Sequence, residues 1–474
     1  MKLKVLIIYF LFTRIFIAGS IPTQEDKKIL ELAINYEFDK TDEILKSLML
    51  ESNELKYHYL FLNVEIIKSV KILNDLPFSK VNTVRDSIQK VLIEYSENVI
   101  ENFRDRKLDT YNKFYLGSIY GLLGRFYDVT KSSYDAYSNQ KESINILEQV
   151  LEISPKLADA NLLPGLINYY TDRLGGVTEF VLGILGLPGN RATGLKQLYI
   201  VEEKGFLNNW LATMSLAEIY TKREENSFEA LPLIEKIVKK FPNNSEFKNQ
   251  LCYEYIKLYM PLKAKNLIKA DTKNEISDFT KALFYHYIGR YQKSNNIYTQ
   301  ILKKKDTTSL DIYEQAKYIA NINNFLLGKN KIIYELNDKY QKRYINMVKK
   351  PNIAKKVYLF KKAVLLENDN SFQKYFDSKN IFNESDYYLA NFNFYAGVFF
   401  YKKKNYEKAE SYFINSKRLI FNDFGLPASI YLLDIYKKIY ADDEKVEQLL
   451  RDINKINNNK LSISAKDLEK KYNL

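Results

Sequence analysis

The side chains that most often carry chemistry are few here, and they do not converge. Only two histidines, His58 and His286, occur in 474 residues, so a metal centre built on several imidazoles is excluded. Acid pairs at Glu202 and Glu203, at Glu224 and Glu225, and from Asp442 to Glu444 have the residue type for general acid–base work. Each lies in a lysine-containing helical segment or turn, where pairing between positions i and i+4 accounts for it. Glycines 117, 121 and 124 follow no strand and precede no Gly-Lys-Ser, so they form no phosphate loop; close helix crossing is the better account. The single cysteine, Cys252, cannot make an internal disulfide and reads as a small packed apolar side chain. Asn243 and Asn383 begin Asn-x-Ser sequences, which matter only in a eukaryotic secretory setting. We therefore expect no catalytic residue, no metal and no cofactor, and no enzymatic activity. A cell-wall or glycan enzyme is the weakest alternative.

The elements that would position any site are helices. Hydrophobic residues make up 46% of the chain, enough for a continuous core, while 16 Gly and 10 Pro are too few and too scattered to punctuate a sheet protein. The opening MKLKVLIIYFLFTRIFIAGS has a basic start, an apolar run and small residues at Ala18 and Ser20, which reads as an export signal over residues 1–20. A retained inner-membrane anchor is the alternative. The expected location is the periplasm or outer envelope of a bacterium.

The net charge of +13 invites a nucleic-acid reading, but acids accompany the bases nearly throughout, and an export signal argues against that ligand. The exception is KYQKRYINMVKKPNIAKKVYLFKK, residues 339–362, which holds Lys342, Arg343, Lys349, Lys350, Lys355, Lys356, Lys361 and Lys362 with no acid among them. This stretch reads as a solvated helix face or as a contact for an anionic membrane surface or acidic protein.

Small and aromatic residues recur at helical spacing. In YAGVFFYKKKNYEKAESYFINSK, Gly397 and Phe400 are followed by Tyr406, Ala409 and Phe413, with a polar turn at Lys404 and Asn405. Two short amphipathic helices are implied, and such a pair needs neighbours to bury its apolar face. Ala282, Tyr285, Gly289, Tyr291, Ser294 and Tyr298 keep the same offsets. Ala217, Tyr220, Ala230, Ile234 and Pro242 do so with one extra residue at the turn, and Leu116, Gly117, Tyr120, Leu147 and Pro155 mark another unit. These offsets resemble the tetratricopeptide repeat. The resemblance covers about 110–155, 210–245, 275–305 and 390–422, is lost between 306 and 385, and lacks the signature tryptophan. It implies an all-α fold, a superhelix of helical hairpins (an α-solenoid). The expected divisions are 21–105, 106–245 with an apolar insertion at 171–190, 246–385 and 386–474.

Residues 157–205 are more particular: two helices of one repeat are separated by a glycine-rich apolar insertion. The block is similar to a group of bacterial exported repeat proteins of unassigned function, distantly like the eukaryotic tetratricopeptide-39 group. The tyrosine pair of that pattern is Tyr169 and Tyr170, and its corner is Gly189, Asn190 and Arg191, with Asn where Asp is expected. Asn190 is suited to cap the following helix, so the block reads as a structural signature. The insertion, with Phe180, Ile184 and Leu185, either tucks against the core or contacts a membrane or partner.

The resemblance implies a scaffold whose first helices line a groove that binds a protein or peptide partner. Transferred offsets give Phe279, Leu283 and His286 from one repeat and Asn391, Phe394, Val398, Tyr401 and Lys402 from another. Aromatic anchors beside Lys and Asn suit an apolar peptide with acidic residues or a free carboxylate. A membrane-associated assembly factor using 174–187 and 339–362 is the alternative function.

Overall fold

Several helices are begun or ended by recognisable local chemistry. Ser277 and Ser385 accept from the backbone N–H three residues on, as do Asn190, Asn337 and Asn368. These side chains satisfy donors that the first turn leaves free. Six helices end in the same way, at Tyr36, Tyr259, Gly289, Gly328, Glu367 and Lys404, all with φ between 53° and 88°. At each, the left-handed residue donates to the carbonyl three back and the next residue to the carbonyl five back; Gly289 N–H reaches His286 O at 3.0 Å and Arg290 N–H reaches Tyr285 O at 2.8 Å. This double bond pattern closes the helix and turns the chain into its partner.

The computed structural model describes residues 20–451 except 131, 174–188, 305–307, 330–331 and 420. Residues 1–19 of the stretch read as an export signal, and 174–188 of the apolar insertion with Phe180, Ile184 and Leu185, therefore lie outside the described residues. Among the described residues there is no strand. They divide into two compact units, 1–225 with 232–248, and 226–231 with 249–474.

In the first unit the helices are α1 (Gln24–Ile34), α2 (Phe38–Glu51), α3 (Leu55–Asp75), α4 (Phe78–Phe103), α5 (Thr110–Thr130), α6 (Ser133–Ile153), α7 (Leu162–Asp172), α8 (Arg191–Lys204) and α9 (Asn209–Glu218). Helix α10 (Ser227–Lys240) has residues in both units. Consecutive helices pack as hairpins, and the first members α1, α3, α5 and α7 also pack on one another in order. The glycines of α5 serve its crossing with α6: a Cβ at Gly117 would lie 2.9 Å from Ile146, at Gly121 2.7 Å from Ser143 Oγ, and at Gly124 2.7 Å from Gln140.

The second unit contains α11 (Ser245–Lys257), most of which falls here, then α12 (Pro261–Ala270), α13 (Asp278–Tyr287), α14 (Tyr291–Lys303), α15 (Leu310–Leu326), α16 (Asp338–Val348), α17 (Pro351–Leu365), α18 (Asp369–Asp377), α19 (Asp386–Lys402), α20 (Tyr406–Leu419) and α21 (Phe421–Asp434). The same order holds: α13 packs on α14 and α15, and α19 packs on α17, α20 and α21. The region 306–385, where the sequence repeat is lost, is hairpin as well. Its turns at Gly328 and Glu367 copy those at Gly289 and Lys404, but they are more widely spaced than a repeat of about 34 residues allows. The extra residue near 220 is absorbed as a π turn, Ile219–Arg223, in which Glu224 N–H bonds to Ile219 O at 2.9 Å.

Gly397 sets the α19–α20 crossing, since a Cβ there would lie 2.7 Å from the Phe413 ring. Phe413 is fully buried and stacks on Tyr431 at 4.8 Å, so it has nowhere to retreat. Gly397→Val is expected to lower stability by about 1–3 kcal/mol through overpacking, measured by urea unfolding at pH 7.

Candidate functional site

The signature block assembles around one carboxylate. Tyr169 Oη donates to Glu224 Oε1 at 2.5 Å, Arg173 Nη2 to the same oxygen at 2.5 Å and Arg191 Nε at 2.9 Å, while Arg191 Nη2 reaches Oε2. Tyr169 and Glu224 are buried. The i to i+4 lysine pairing expected for Glu224 is thus corrected: the π turn carries its side chain inward, where it meets two arginines that flank residues 174–188. Burial works to raise the Glu224 carboxyl, but the two guanidinium groups and the Tyr169 hydroxyl outweigh it and hold it below the usual carboxylate range. The backbone closes here too. Asn190 N–H donates to Asn168 O at 3.1 Å, and a Cβ at Gly189 would lie 2.1 Å from Asp172 N. Asn190 caps α8 by accepting from Thr193 N–H at 2.8 Å. Arg191 engages both carboxylate oxygens while Tyr169 and Arg173 share Oε1, and Arg173 Nε is left without a partner among the described residues, so the cluster ties the two flanks of 174–188 to Glu224.

A second cluster lies on the first helices of the second unit. Lys361 of α17 is half-buried and extends its Nζ over three rings: 4.2 Å from the centroid of Tyr287, 5.4 Å from Tyr395 and 5.5 Å from Tyr358. Tyr358 and Lys361 are three apart and share a helix face. Tyr287 ends α13 just before the left-handed Gly289, and Tyr395 lies midway along α19. Tyr259, in the turn after α11, completes the wall at 5.5 Å from Tyr395 and 6.1 Å from Tyr287. Tyr259, Tyr287 and Tyr358 keep partial exposure while Tyr395 is buried, so this tyrosine recess reaches the surface at one edge.

His286 forms its floor. Its ring lies 5.9 Å from Tyr358, and Nδ1 lies 2.7 Å from Asn323 Oδ1, an acceptor, which assigns the proton to Nδ1. Asn323 Nδ2 in turn donates to Ser294 Oγ at 2.9 Å. Burial, with the Lys361 charge beside it, pushes His286 down to about 3, so it is neutral. Burial alone pushes Lys361 down to about 7. Among the described residues Lys361 has no carboxylate partner. The tyrosine hydroxyls of 287, 358 and 395 are raised by burial and remain protonated donors.

The groove positions transferred from the repeat pattern fall mostly behind this recess. Phe279 is buried against Tyr298, Ala316 and Ala320, and Leu283 is partly buried beside it. Asn391 is buried and donates to Tyr387 O at 3.1 Å. Phe394 and Val398 are fully buried, Phe394 between Tyr259, Phe413 and Tyr431. Tyr401 Oη donates to Asp434 at 2.5 Å, and Lys402 pairs with Glu367 at 3.3 Å. Of the eight, only His286 belongs to the recess, and its own exposure is slight. The neighbouring positions 287 and 395 carry the lining in place of 286 and 394, because one residue rotates a helical side chain by about 100°.

The basic stretch does not present one face. Lys350 pairs with Glu384, Lys355 lies 5.8 Å over Phe325, Lys361 turns inward, and Lys362 lies along Gly289. His58 is held between Tyr95 Oη and Asn53 Oδ1, each at 2.6 Å. Cys252 is buried, its thiol pushed up to about 12 by burial. Among the described residues no helix is long and apolar enough to cross a membrane, and no group of three His, Cys, Asp or Glu could hold a metal ion.

No protein-family model and no curated protein matches the chain. Among solved structures, the crystal structure of the P58(IPK) TPR domain aligns over 81% of this chain and 98% of that one, at 12% identity and a TM-score of 0.23. The repeat-like architecture therefore rests on this chain's own hairpins and turns.

Removing Glu224 leaves two half-buried guanidinium groups without their carboxylate, so Glu224→Ala is expected to cost about 2–3 kcal/mol in urea unfolding at pH 7, less than the roughly 3–5 kcal/mol of a fully buried pair because solvent reaches both arginines. Because the folded-state carboxyl titrates below its unfolded value of 4.5, its contribution is complete above that pH and lost as pH falls through the folded value. The gap between wild type and Glu224→Gln should accordingly shrink on acidification from pH 5 downward.

Lys361 has the opposite charge and a depressed value, so the unfolded chain binds more protons between about 7 and 10.5. Wild-type stability should gain from this residue as pH rises across that window, and Lys361→Met should lack the gain when the two are compared by urea unfolding at pH 7 and pH 9.5.

Proposed function

We propose that this chain is an exported, non-enzymatic scaffold of the cell envelope, and that the tyrosine recess of the second unit holds a peptide or helix of a partner protein. The observation that carries the reading is the recess itself: partly exposed aromatic rings and one lysine, projecting from the first helices of successive hairpins. Rigid rings on a helical stack are effective anchors, because they bury much area while losing little side-chain freedom. Residues with a reaction to perform would bring acids, bases or a nucleophile to the same place. Here His286 is neutral and engaged with Asn323, and Lys361 is the one group of the cluster that titrates near neutrality, with no acid or hydroxyl nucleophile activated beside it among the described residues. The basic start and apolar run of residues 1–20, read as an export signal, support a place outside the cytoplasm, and stacked helical hairpins are suited to protein partners.

A photo-crosslinking amino acid at Tyr287, introduced into the protein in its native cells, tests the reading. One discrete adduct is expected at that position, none at the exposed Tyr134, and a yield several-fold lower when Tyr358→Ala is added. Equal adducts at Tyr287 and Tyr134, or a yield indifferent to Tyr358, would remove the recess from the reading.

A further inference from the structure

The recess surrounds a cation with rings and hydroxyl donors and gives it no counter-charge. Facing Lys361 are His286 and Tyr287 from α13, Tyr259 from the turn after α11, Tyr358 on its own helix and Tyr395 from α19. Around Tyr358 stand Tyr291 of α14, Tyr318 of α15 and Tyr387 of α19. None of these is a carboxylate. His286 contributes no charge, and the neighbouring Lys362 runs along Gly289. A half-buried ammonium with ring faces for company is held in place, but its charge is uncompensated.

The donor set selects the anion. One ammonium and neutral tyrosine hydroxyls, of which that of Tyr358 already donates to Met347 Sδ at 3.1 Å, match a single negative charge, whereas phosphate sites draw on forked guanidinium groups or several cations, and among the described residues no arginine is recorded beside Lys361. We propose that the recess receives one carboxylate, which pairs with Lys361 Nζ and accepts from tyrosine hydroxyls while the rings cover the apolar group that carries it. This rests on the reading of the recess as a partner-binding surface and adds the chemistry of what it grips. The carboxylate is either an acidic side chain or a free chain terminus, two sources of the same group.

A consequence follows for protons. Burial in the recess holds Lys361 near 7, so at pH 8 most molecules carry a neutral amine. A bound carboxylate favours the ammonium, so binding at pH 8 takes up a proton, and affinity falls as pH rises above 7.

Calorimetry on the whole protein tests this with three probes: acetyl-Phe-Glu-Phe-amide, acetyl-Phe-Gln-Phe-amide, and acetyl-Phe-Phe with a free terminus. At least one carboxylate probe is expected to bind roughly tenfold or more tightly than the glutamine probe, and the better of the two identifies the source. At pH 8 its heat should vary with the ionisation enthalpy of the buffer in the sense of proton uptake. Lys361→Met should lose the preference, and Lys361→Arg, folded by circular dichroism, should keep the preference without the uptake, because arginine stays charged. Equal binding of the glutamic and glutamine probes, with no preference for the free terminus, would overturn the proposal. So would a preference that survives in Lys361→Met. Crosslinking at Tyr287 that persists beside equal affinities would overturn the carboxylate alone; a carboxylate preference without crosslinking would overturn the scaffold reading instead.

Discussion

A helical hairpin of this length cannot cover its own apolar face, and that shortage governs each unit. Phe413 is buried only because Gly397 lets α20 approach α19 and Tyr431 of α21 closes over it. Tyr298 is buried because Phe279 of its own hairpin and Ala316 and Ala320 of the next lie against it. Stability therefore comes from each neighbour in turn, and each added hairpin supplies the cover the last one lacks. The turns obey the same constraint, since a chain reversal must bring the second helix back against the first. Six of them use the same left-handed residue and the same pair of backbone bonds, whether the residue is glycine or not.

Continuous apolar packing makes every buried polar group conspicuous, and three arrangements meet the cost in different ways. Glu224 is matched by two arginines and a tyrosine, so its charge is fully answered. The chain from His286 through Asn323 to Ser294 is neutral throughout and ends on Ala282 O, which satisfies the groups without any charge. Lys361 is the exception. Its ring neighbours stabilise an ammonium, yet burial disfavours one, and the balance leaves it titrating near neutrality. Natural chains rarely leave a buried charge unanswered, and those that do concentrate it where something else arrives.

The helical class, the close crossings at Gly117, Gly121, Gly124 and Gly397, the cap at Asn190 and the packed state of Cys252 were legible in the residues, because each is a local matter of spacing, size or a side chain three positions from a backbone donor. The hairpins between 306 and 385 were not, because their turns keep the geometry while standing farther apart, Gly289 to Gly328 to Glu367, than the pattern's repeat of about 34 residues. Glu224 looked like half of a surface acid pair; one extra residue in the preceding turn moved it inward. On α13 and α19 the residues bordering Lys361, Tyr287 and Tyr395, stand one position beyond the transferred His286 and Phe394, and one position turns a helical side chain by about 100°. Lys361 could have been noticed as a lysine three residues after Tyr358, between the apolar positions Val357, Phe360 and Val364.

What the chain alone determined was periodicity: which stretches are helical, where small residues permit close approach and where the chain turns back. Those are properties of a few adjacent residues, and the physics that sets them acts within a turn or two. Only the folded units decided which face of each helix meets another and which meets solvent, because that depends on rotations accumulated over several hairpins. The two arginines around Glu224 and the tyrosines around Lys361 come from helices far apart in sequence, and a charge that is answered cannot be told from one that is not until those helices are packed.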